Sequence, residues 1–291
     1  MNSYSIERLA ADLQLAGKSA RTVESYCDNV RRFEGWVGRP ASEAGEAEVR
    51  AFLLHLRDRH VAVRTYKVYL AALCFMFRKT LRRPEVVDGL PSPKTPRTQV
   101  MVPTVAEVRS ILRCASSPFV RSMFEAAYAC GLRASEVCAL QSGDIDSQHG
   151  LVHVRHGKGD KARVVMLGDR LLTGLRQHWR LHHLPGPWLF PQRLPLLAQE
   201  RGTIWDDQAV GRQWLGRRFL AARRAADIRR PITLHGLRHA FATHLLEHGV
   251  DTAILRVLMG HVDIATTAHY ATVRTNVLAS TPSPLDLLYG K

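Results

Sequence analysis

The segment at residues 82–103 holds five prolines, and it constrains the fold more than any other feature of the chain. Proline has no main-chain N–H and its ring blocks the preceding helical turn, so this segment is predicted to be extended and hinge-like. The chain has 291 residues, which is more than one compact core usually organises. We therefore predict a domain at residues 1–83, a linker at 84–103 and a second domain at 104–291.

Apolar residues in the first domain recur at spacings of three and four, a pattern typical of amphipathic helices. Four such stripes are present: Ile6, Leu9, Ala10 and Leu13; Val23, Tyr26, Val30, Phe33 and Val37; Val49, Phe52, Leu53 and Leu56; and Tyr66, Leu70, Leu73 and Phe77. They predict a domain of four helices.

The second domain begins with helical signals. Residues 104–107, TVAE, match a capping box that starts a helix. An apolar helix from Phe119 is expected to stop at Gly131, and another begins near Ser135 and runs through Leu140, which places Arg133 in the turn between them. Further helices are predicted around 214–226, at 234–248 and at 251–259, with a last one that carries Tyr270.

A change of period interrupts these helices. Two short β-type runs, 151–154 and 163–167, flank the sequence HGKGDKA, whose glycines suit a hairpin turn. Lys158 lies at the predicted tip. The fold class that follows is mainly α with a small antiparallel β-sheet in the second domain, an α+β arrangement.

Charge narrows the class of partner. The chain has 41 Lys and Arg against 26 Asp and Glu, a net charge of +15. Residues 1–100 carry 17 basic and 11 acidic side chains, so both parts of the chain are basic. A polyanion is the first partner to expect. Hydrophobic residues make up 46% of the chain, which is enough to bury a core and excludes intrinsic disorder.

Membrane and secreted classes are disfavoured. The longest apolar run, residues 68–77, is about half of the roughly 20 residues that a spanning helix needs. The N-terminal sequence MNSYSIERLA has no signal-peptide pattern. The five cysteines are scattered and form no C-x-x-C pair, which indicates reduced thiols. We expect a cytoplasmic protein, associated with the bacterial nucleoid.

The sequence LHGLRH at 234–239 suggests phosphate chemistry. It places His235 and Arg238 three residues apart near the start of a helix, so both project from one face. An arginine fork can bond two phosphate oxygens at once. Taken alone, the pair fits the surface of a basic helix at least as well.

Three other histidines of the same helix, His239, His244 and His248, have spacings of four and five. Two histidines four apart can bind a metal. Because no matching carboxylate or cysteine set accompanies them, we predict helix-face residues and neither a metal nor another cofactor.

Four segments together resemble the tyrosine recombinase, or phage integrase, family, of which Xer recombinases are members. They are GLRASEV at 131–137, GKGDKAR at 157–163, HGLRHAFATHLLEHG at 235–249 and LMGHVDIATTAHY at 258–270. Their order and spacing match, and residues 64–81 look like the end of the family's helical core-binding domain. The resemblance implies a two-domain architecture with a SAM-like DNA-binding domain at 1–83 and a catalytic domain at 104–291.

The resemblance also implies a nucleophile and the groups that hold the reacting phosphate. Tyr270 would attack a DNA phosphorus and form a 3′-phosphotyrosyl linkage with a free 5′-hydroxyl. Arg133 and Arg238 would hold the non-bridging oxygens, whose charge grows in the transition state. Lys158, between two glycines, would be the general acid for the departing 5′-oxygen, in preference to Lys161.

Three further residues receive roles from the same resemblance. His235 would be a base or hydrogen-bond partner that helps Tyr270 lose its proton. His261 would donate to a phosphate oxygen, and Glu136 would orient Arg133.

The implied partner is double-stranded DNA. The resemblance implies that a homotetramer recombines two synapsed sites and that the free protein is a monomer or dimer. The tail at 271–291 resembles a segment that docks on a neighbouring subunit. Accessory DNA-bending proteins and partner recombinases stay open, as does the choice between integration, excision, dimer resolution and transposon mobility.

Two alternatives remain. Residues 251–268 also pass for a helix-turn-helix of a non-catalytic DNA-binding regulator, with Gly260 in the turn. A DNA-relaxing topoisomerase of type IB would share the site but would need no tetramer.

Overall fold

The computed structural model describes residues 4–94, 101–155, 162–182, 186–192, 208–260 and 281–290. The chain divides into two compact units, residues 1–98 and residues 99–291. The described elements are mostly helices, and the second unit also contains one small antiparallel sheet. The predicted fold class, mainly α with a small sheet, is confirmed.

The first unit is a helical bundle, as the four apolar stripes predict. Its helices are α1 (Tyr4–Leu15), α2 (Ala20–Val37), α3 (Glu46–Asp58) and α4 (Val63–Phe75), and α4 continues into a π-helical turn at Met76–Thr80. Phe33 of α2 lies at the centre, with its ring 5.3 Å from that of Phe52 and 6.4 Å from that of Phe77. The helices therefore meet around one aromatic cluster.

The proline-rich segment begins differently from the prediction. Pro84–Val86 form a 3-10 turn, and Val86 and Val87 are buried in the first core. The preceding Arg83 donates to the carbonyls of Ser42 and Ala44. Proline is tolerated in the first turn of a helix. Burial of the two valine side chains removes apolar surface from water, which stabilises the turn against the first core. The extended chain predicted from residue 82 is therefore wrong for its first residues.

The second unit has a hydrophobic core of its own. Its helices are α5 (Val105–Arg113), α6 (Pro118–Ala129), α7 (Ala134–Cys138), α8 (Asp169–His182), α9 (Arg212–Ala225), α10 (Leu234–Glu247), α11 (Thr252–Leu258) and α12 (Pro284–Leu288). The capping box at Thr104 is confirmed: its hydroxyl accepts from the Glu107 amide, and the Glu107 carboxylate accepts from the Thr104 amide. Helix α7 ends at Cys138, short of the predicted Leu140.

The sheet has three antiparallel strands in the order β1 (Ile145–Asp146), β2 (Leu151–Val154), β3 (Arg163–Met166). Leu151 pairs with Met166 and Val154 with Arg163, so β2 and β3 form the predicted hairpin. The hairpin's connecting residues, 156–161, lie outside the described part of the chain.

The end of the tail packs on its own unit. Leu285 and Leu288 of α12 are 1% and 2% exposed and belong to the second core, against α6 and α8. The Asp286 carboxylate accepts from the Arg170 amide at 3.1 Å, and Arg109 donates to the Leu288 carbonyl. Residues 281–290 thus have a packing site within their own chain, and residues 271–280 lie outside the described ranges. The docking of 271–291 on a neighbouring subunit stays a prediction.

None of the helices within the described ranges is long and apolar enough to cross a membrane. All five cysteines are free thiols, in agreement with the reduced state predicted from their number and spacing.

Candidate active site

Arg238 is a buried cation at the start of α10. Its side chain is 2% exposed, and a guanidinium at this depth must have hydrogen-bond acceptors. Nη1 donates to the Gly131 carbonyl and Nη2 to the Met259 carbonyl, each at 2.6 Å. Arg238 thus ties the turn before α7 to the end of α11.

Arg133 lies in that turn, as predicted, at the N-terminus of α7. Its main-chain N–H donates to Glu136 Oε2 at 2.8 Å, and its Nη1 donates to Glu136 Oε1 at 2.6 Å. The Arg133 side chain is 24% exposed, whereas that of Glu136 is 1% exposed. The guanidinium is held from behind by Glu136 while part of it stays open to a ligand.

The sequence did not single out Arg163, which binds the same carboxylate. Its Nη1 and Nη2 donate to the two oxygens of Glu136 at 2.9 and 2.8 Å, and its Nε donates to the Leu258 carbonyl at 2.9 Å. The available signal, Glu136 directly before Val137 and Cys138, indicates a carboxylate near the core but does not identify its cationic partner.

The electrostatics of the cluster are those of an anion site. Burial alone would raise the pKa of Glu136, but hydrogen bonds and charge from Arg163, and then from Arg133, lower it to about 2. Burial, followed by repulsion from Arg133 and Arg163, lowers the pKa of Arg238 to about 10. Among the described residues, three guanidiniums thus surround one carboxylate, and this excess of arginine suits an anionic ligand.

His235 and His239 lie beside the arginines on α10. Their ring centroids are 4.6 Å apart in an edge-to-face arrangement, and His235 is exposed at the surface. Although one side of the ring faces solvent, desolvation by the surrounding protein, followed by charge from His239 and Arg238, lowers the pKa of His235. Its imidazole is thus neutral at neutral pH, the form that accepts a proton.

The structure therefore brings together four of the predicted site residues: Arg133, Glu136, His235 and Arg238. The other three, Lys158, His261 and Tyr270, lie outside the described residues.

The histidines on the rest of α10 do not form a metal site with other described residues. His248 is exposed, but His244 is only 4% exposed, and its Nδ1 is 2.8 Å from the Tyr128 hydroxyl. His244 therefore lies on the inward face of the helix, where the tyrosine gives the buried ring a hydrogen-bond partner.

Comparisons with known proteins agree with this fold. Residues 104–276 match the phage integrase family, and residues 6–85 match the phage integrase N-terminal SAM-like domain. An integrase/recombinase of Sinorhizobium fredii is 37% identical over 287 residues, which cover 97% of this chain and 88% of that protein. Tyrosine recombinase XerA of Thermococcus kodakarensis is 31% identical over 285 residues, 97% of this chain and 95% of that protein.

Solved structures show the same fold. A lambda integrase tetramer bound to a Holliday junction superposes with a TM-score of 0.71 at 19% identity, over 91% of this chain and 76% of that one. A lambda integrase dimer bound to a core site gives 0.69 at 20% identity, over 93% and 77%. The architecture is that of the tyrosine recombinases.

The chain belongs to the phage integrase family and is a tyrosine-type site-specific recombinase, an enzyme of DNA recombination and integration. The regulator alternative is therefore set aside.

Proposed function

We propose that this recombinase cleaves and rejoins DNA through Tyr270, which forms a 3′-phosphotyrosyl linkage and frees a 5′-hydroxyl. The observation that carries the proposal is the arginine cluster around Glu136, where Arg133 remains partly exposed. Such a cluster suits the phosphodiester, whose non-bridging oxygens gain charge as the pentacoordinate transition state forms.

His235 supports the first proton transfer. A tyrosine hydroxyl has an ordinary pKa of about 10, so the nucleophile needs a base near neutral pH. The lowered pKa of His235 keeps its imidazole neutral and able to accept that proton. In the proposal Lys158 protonates the departing 5′-oxygen and His261 donates to a phosphate oxygen.

The phosphotyrosyl diester conserves the energy of the broken DNA phosphodiester bond, so religation needs no nucleoside triphosphate. We propose duplex DNA as the substrate, and the charge of the chain supports it. Helix α9 alone exposes Arg212, Arg217, Arg218 and Arg224. Phosphate contacts of this kind weaken steeply as salt rises.

For the assembly we propose a homotetramer on two synapsed sites, by likeness to the lambda integrase tetramer bound to a Holliday junction. The first unit, whose core includes Val86 and Val87, would be the DNA-binding domain, the residues from there to 103 the linker and 104–291 the catalytic domain. A duplex-DNA substrate and reduced cysteines both favour a cytoplasmic location.

The proposal is tested with a pool of nicked duplexes of randomised sequence, which trap a covalent intermediate because the released fragment diffuses away. Protein-linked DNA is isolated under denaturing conditions and enriched over successive rounds. We expect an adduct that Tyr270→Phe abolishes while DNA binding is retained, and that the matched control Tyr289→Phe keeps.

Failure of every pool to give an adduct, or an adduct that survives Tyr270→Phe, would contradict the proposal. Relaxation of supercoiled plasmid with no enriched sequence would instead favour the topoisomerase alternative.

A further inference from the structure

We propose that Arg163 is a positioning residue for strand cleavage, which acts by neutralising Glu136 and so leaves Arg133 and Arg238 available to the phosphate. This inference rests on the proposed function of those two arginines. Arg163 itself is not assigned a phosphate, because its Nε, Nη1 and Nη2 all donate to acceptors within the protein.

Each nitrogen of the Arg163 guanidinium has an assigned partner. Nη1 and Nη2 bind both oxygens of Glu136, and Nε binds the Leu258 carbonyl. A lysine has a single nitrogen and cannot reproduce this planar three-way arrangement. The contact joins the first residue of β3 to α7 and to the last residue of α11.

Charge explains why the position matters for Arg238. The Glu136 carboxylate is 1% exposed, and Arg238 Nη1 lies 3.7 Å from its Oε2, just beyond hydrogen-bond distance. Without Arg163, a buried carboxylate would attract the nearest remaining cations. Arg238 would then be drawn toward Glu136 and away from the Gly131 and Met259 carbonyls.

Arg163 also supports the chain that precedes His261. Gly260 has φ +66°, and a Cβ on it would lie 3.1 Å from Arg163 Cδ. Because its Nε also donates to the Leu258 carbonyl, the Arg163 side chain both holds the end of α11 in position and packs against Gly260. Loss of Arg163 is thus expected to make the positions of both Arg133 and the Gly260 turn less well defined.

The test compares Arg163→Met with wild type on a nicked duplex enriched as above, measuring the single-turnover cleavage rate and the Kd for DNA separately. We expect cleavage to fall on the order of 10²-fold, the cost of a small misplacement of reacting groups. The Kd should stay within about threefold, because Arg163 contacts no phosphate. Arg163→Lys, which keeps the charge, should restore part of the rate.

Arg230→Met is the matched control. Arg230 likewise makes two bonds to one carboxylate, that of Glu107, at 3.0 and 2.7 Å and one to a carbonyl, that of Val102, at 2.9 Å, at a more exposed position. Neither acceptor belongs to the arginine cluster. We expect its cleavage rate to match wild type, so a loss equal to that of Arg163→Met would point to a general effect on folding.

A double variant tests the route through Glu136. If Arg163 acts by neutralising this carboxylate, Glu136→Gln removes the attraction that displaces Arg238, and Arg163→Met with Glu136→Gln should cleave at least as fast as Arg163→Met alone. Losses that multiply would overturn the inference, as would an unchanged rate in Arg163→Met.

Thermal unfolding is measured for each variant. If Arg163→Met does not fold, the neutral but polar Arg163→Gln decides the question: cleavage equal to wild type contradicts the inference. A wild-type protein that forms no adduct would contradict the proposed function, whereas a wild-type adduct with a fully active Arg163→Met contradicts the inference alone.

Discussion

The Nη1 of Arg238 donates a 2.6 Å hydrogen bond to the carbonyl of Gly131, two residues before Arg133. The two arginines proposed to bind one phosphate are therefore connected through main chain as well as through Glu136. Arginine has five N–H donors, and Arg238 uses two of them on the Gly131 and Met259 carbonyls. The same side chain can position the site and still donate to a ligand.

Arg238→Lys is expected to lower the stability of the protein more than Arg133→Lys does. A lysine at 238 leaves at least one buried carbonyl unpaired, so the free energy of unfolding should fall by about 1–3 kcal/mol. Arg133 is partly exposed, and its replacement should cost less. Both variants should lose on the order of 10²-fold in single-turnover cleavage. Urea unfolding with cleavage assays checks this, and equal losses of stability would contradict it.

Gly131 is expected to tolerate no side chain. Its φ is +58°, and a Cβ would lie 2.6 Å from Cδ1 of Phe241. Left-handed backbone and overpacking each cost an alanine about 1–3 kcal/mol, so Gly131→Ala should destabilise the second unit by several times the thermal energy.

The control for Gly131→Ala is Gly216→Ala in α9. A Cβ added to Gly216 would meet no other atom within 4 Å, and the φ of this residue is not in the left-handed region. Alanine favours a helix interior over glycine by roughly 0.5–1 kcal/mol, so this change should raise the free energy of unfolding. Denaturant unfolding of both variants is the measurement, and a shift of the same sign in both would refute the argument.

Local sequence signals predicted most of the helices and the hairpin. The apolar stripes, the Thr104 capping box and the glycine at 131 each act within a few residues, so periodicity and capping rules detect them. Helix α8 escaped prediction because its buried side includes His178 among only three residues. Strand β1 has two residues, too few for any period to show.

The site was predictable where chemistry is concentrated in a motif and not where it depends on distant contacts. Arg133, His235 and Arg238 stand in short, recognisable sequences. The bond from Arg163 to Glu136 joins residues 27 apart, and no local pattern encodes that pairing. The burial of His244 likewise depends on Tyr128, 116 residues away.

His178 is expected to make the protein less stable in mild acid. It is 3% exposed, its Nε2 lies 2.9 Å from the Leu189 carbonyl, and its Nδ1 has no hydrogen-bond partner among the described residues. Burial is the main cause that lowers its pKa from 6.5 to about 4. The unfolded chain then binds a proton more readily than the folded one, so stability is complete above pH 6.5 and is lost as the pH falls toward 4.

The lost stability should amount to about 3 kcal/mol across that window. His178→Phe removes the titrating group and places a ring between Phe119 and Phe190, whose centroids lie 5.3 and 5.4 Å away. Its free energy of unfolding should fall less steeply between pH 6.5 and 4 than that of wild type. Glu136 acts in a lower window, below its ordinary pKa of 4.5 and down to about 2. Parallel curves for the two proteins would contradict the assignment to His178.

The C-terminal helix α12 offers a way to distinguish packing within one chain from docking on another. Leu285 is 1% exposed in the core of its own unit, so Leu285→Ala should lower the free energy of unfolding by about 3 kcal/mol. Leu287, partly exposed on the same helix, is the control and should lose less. If the helix packs on its own chain, the unfolding midpoint does not depend on protein concentration over about a hundredfold range. A wild-type midpoint that rises with concentration, and a dependence that Leu285→Ala removes, would show that this helix binds a neighbouring subunit instead.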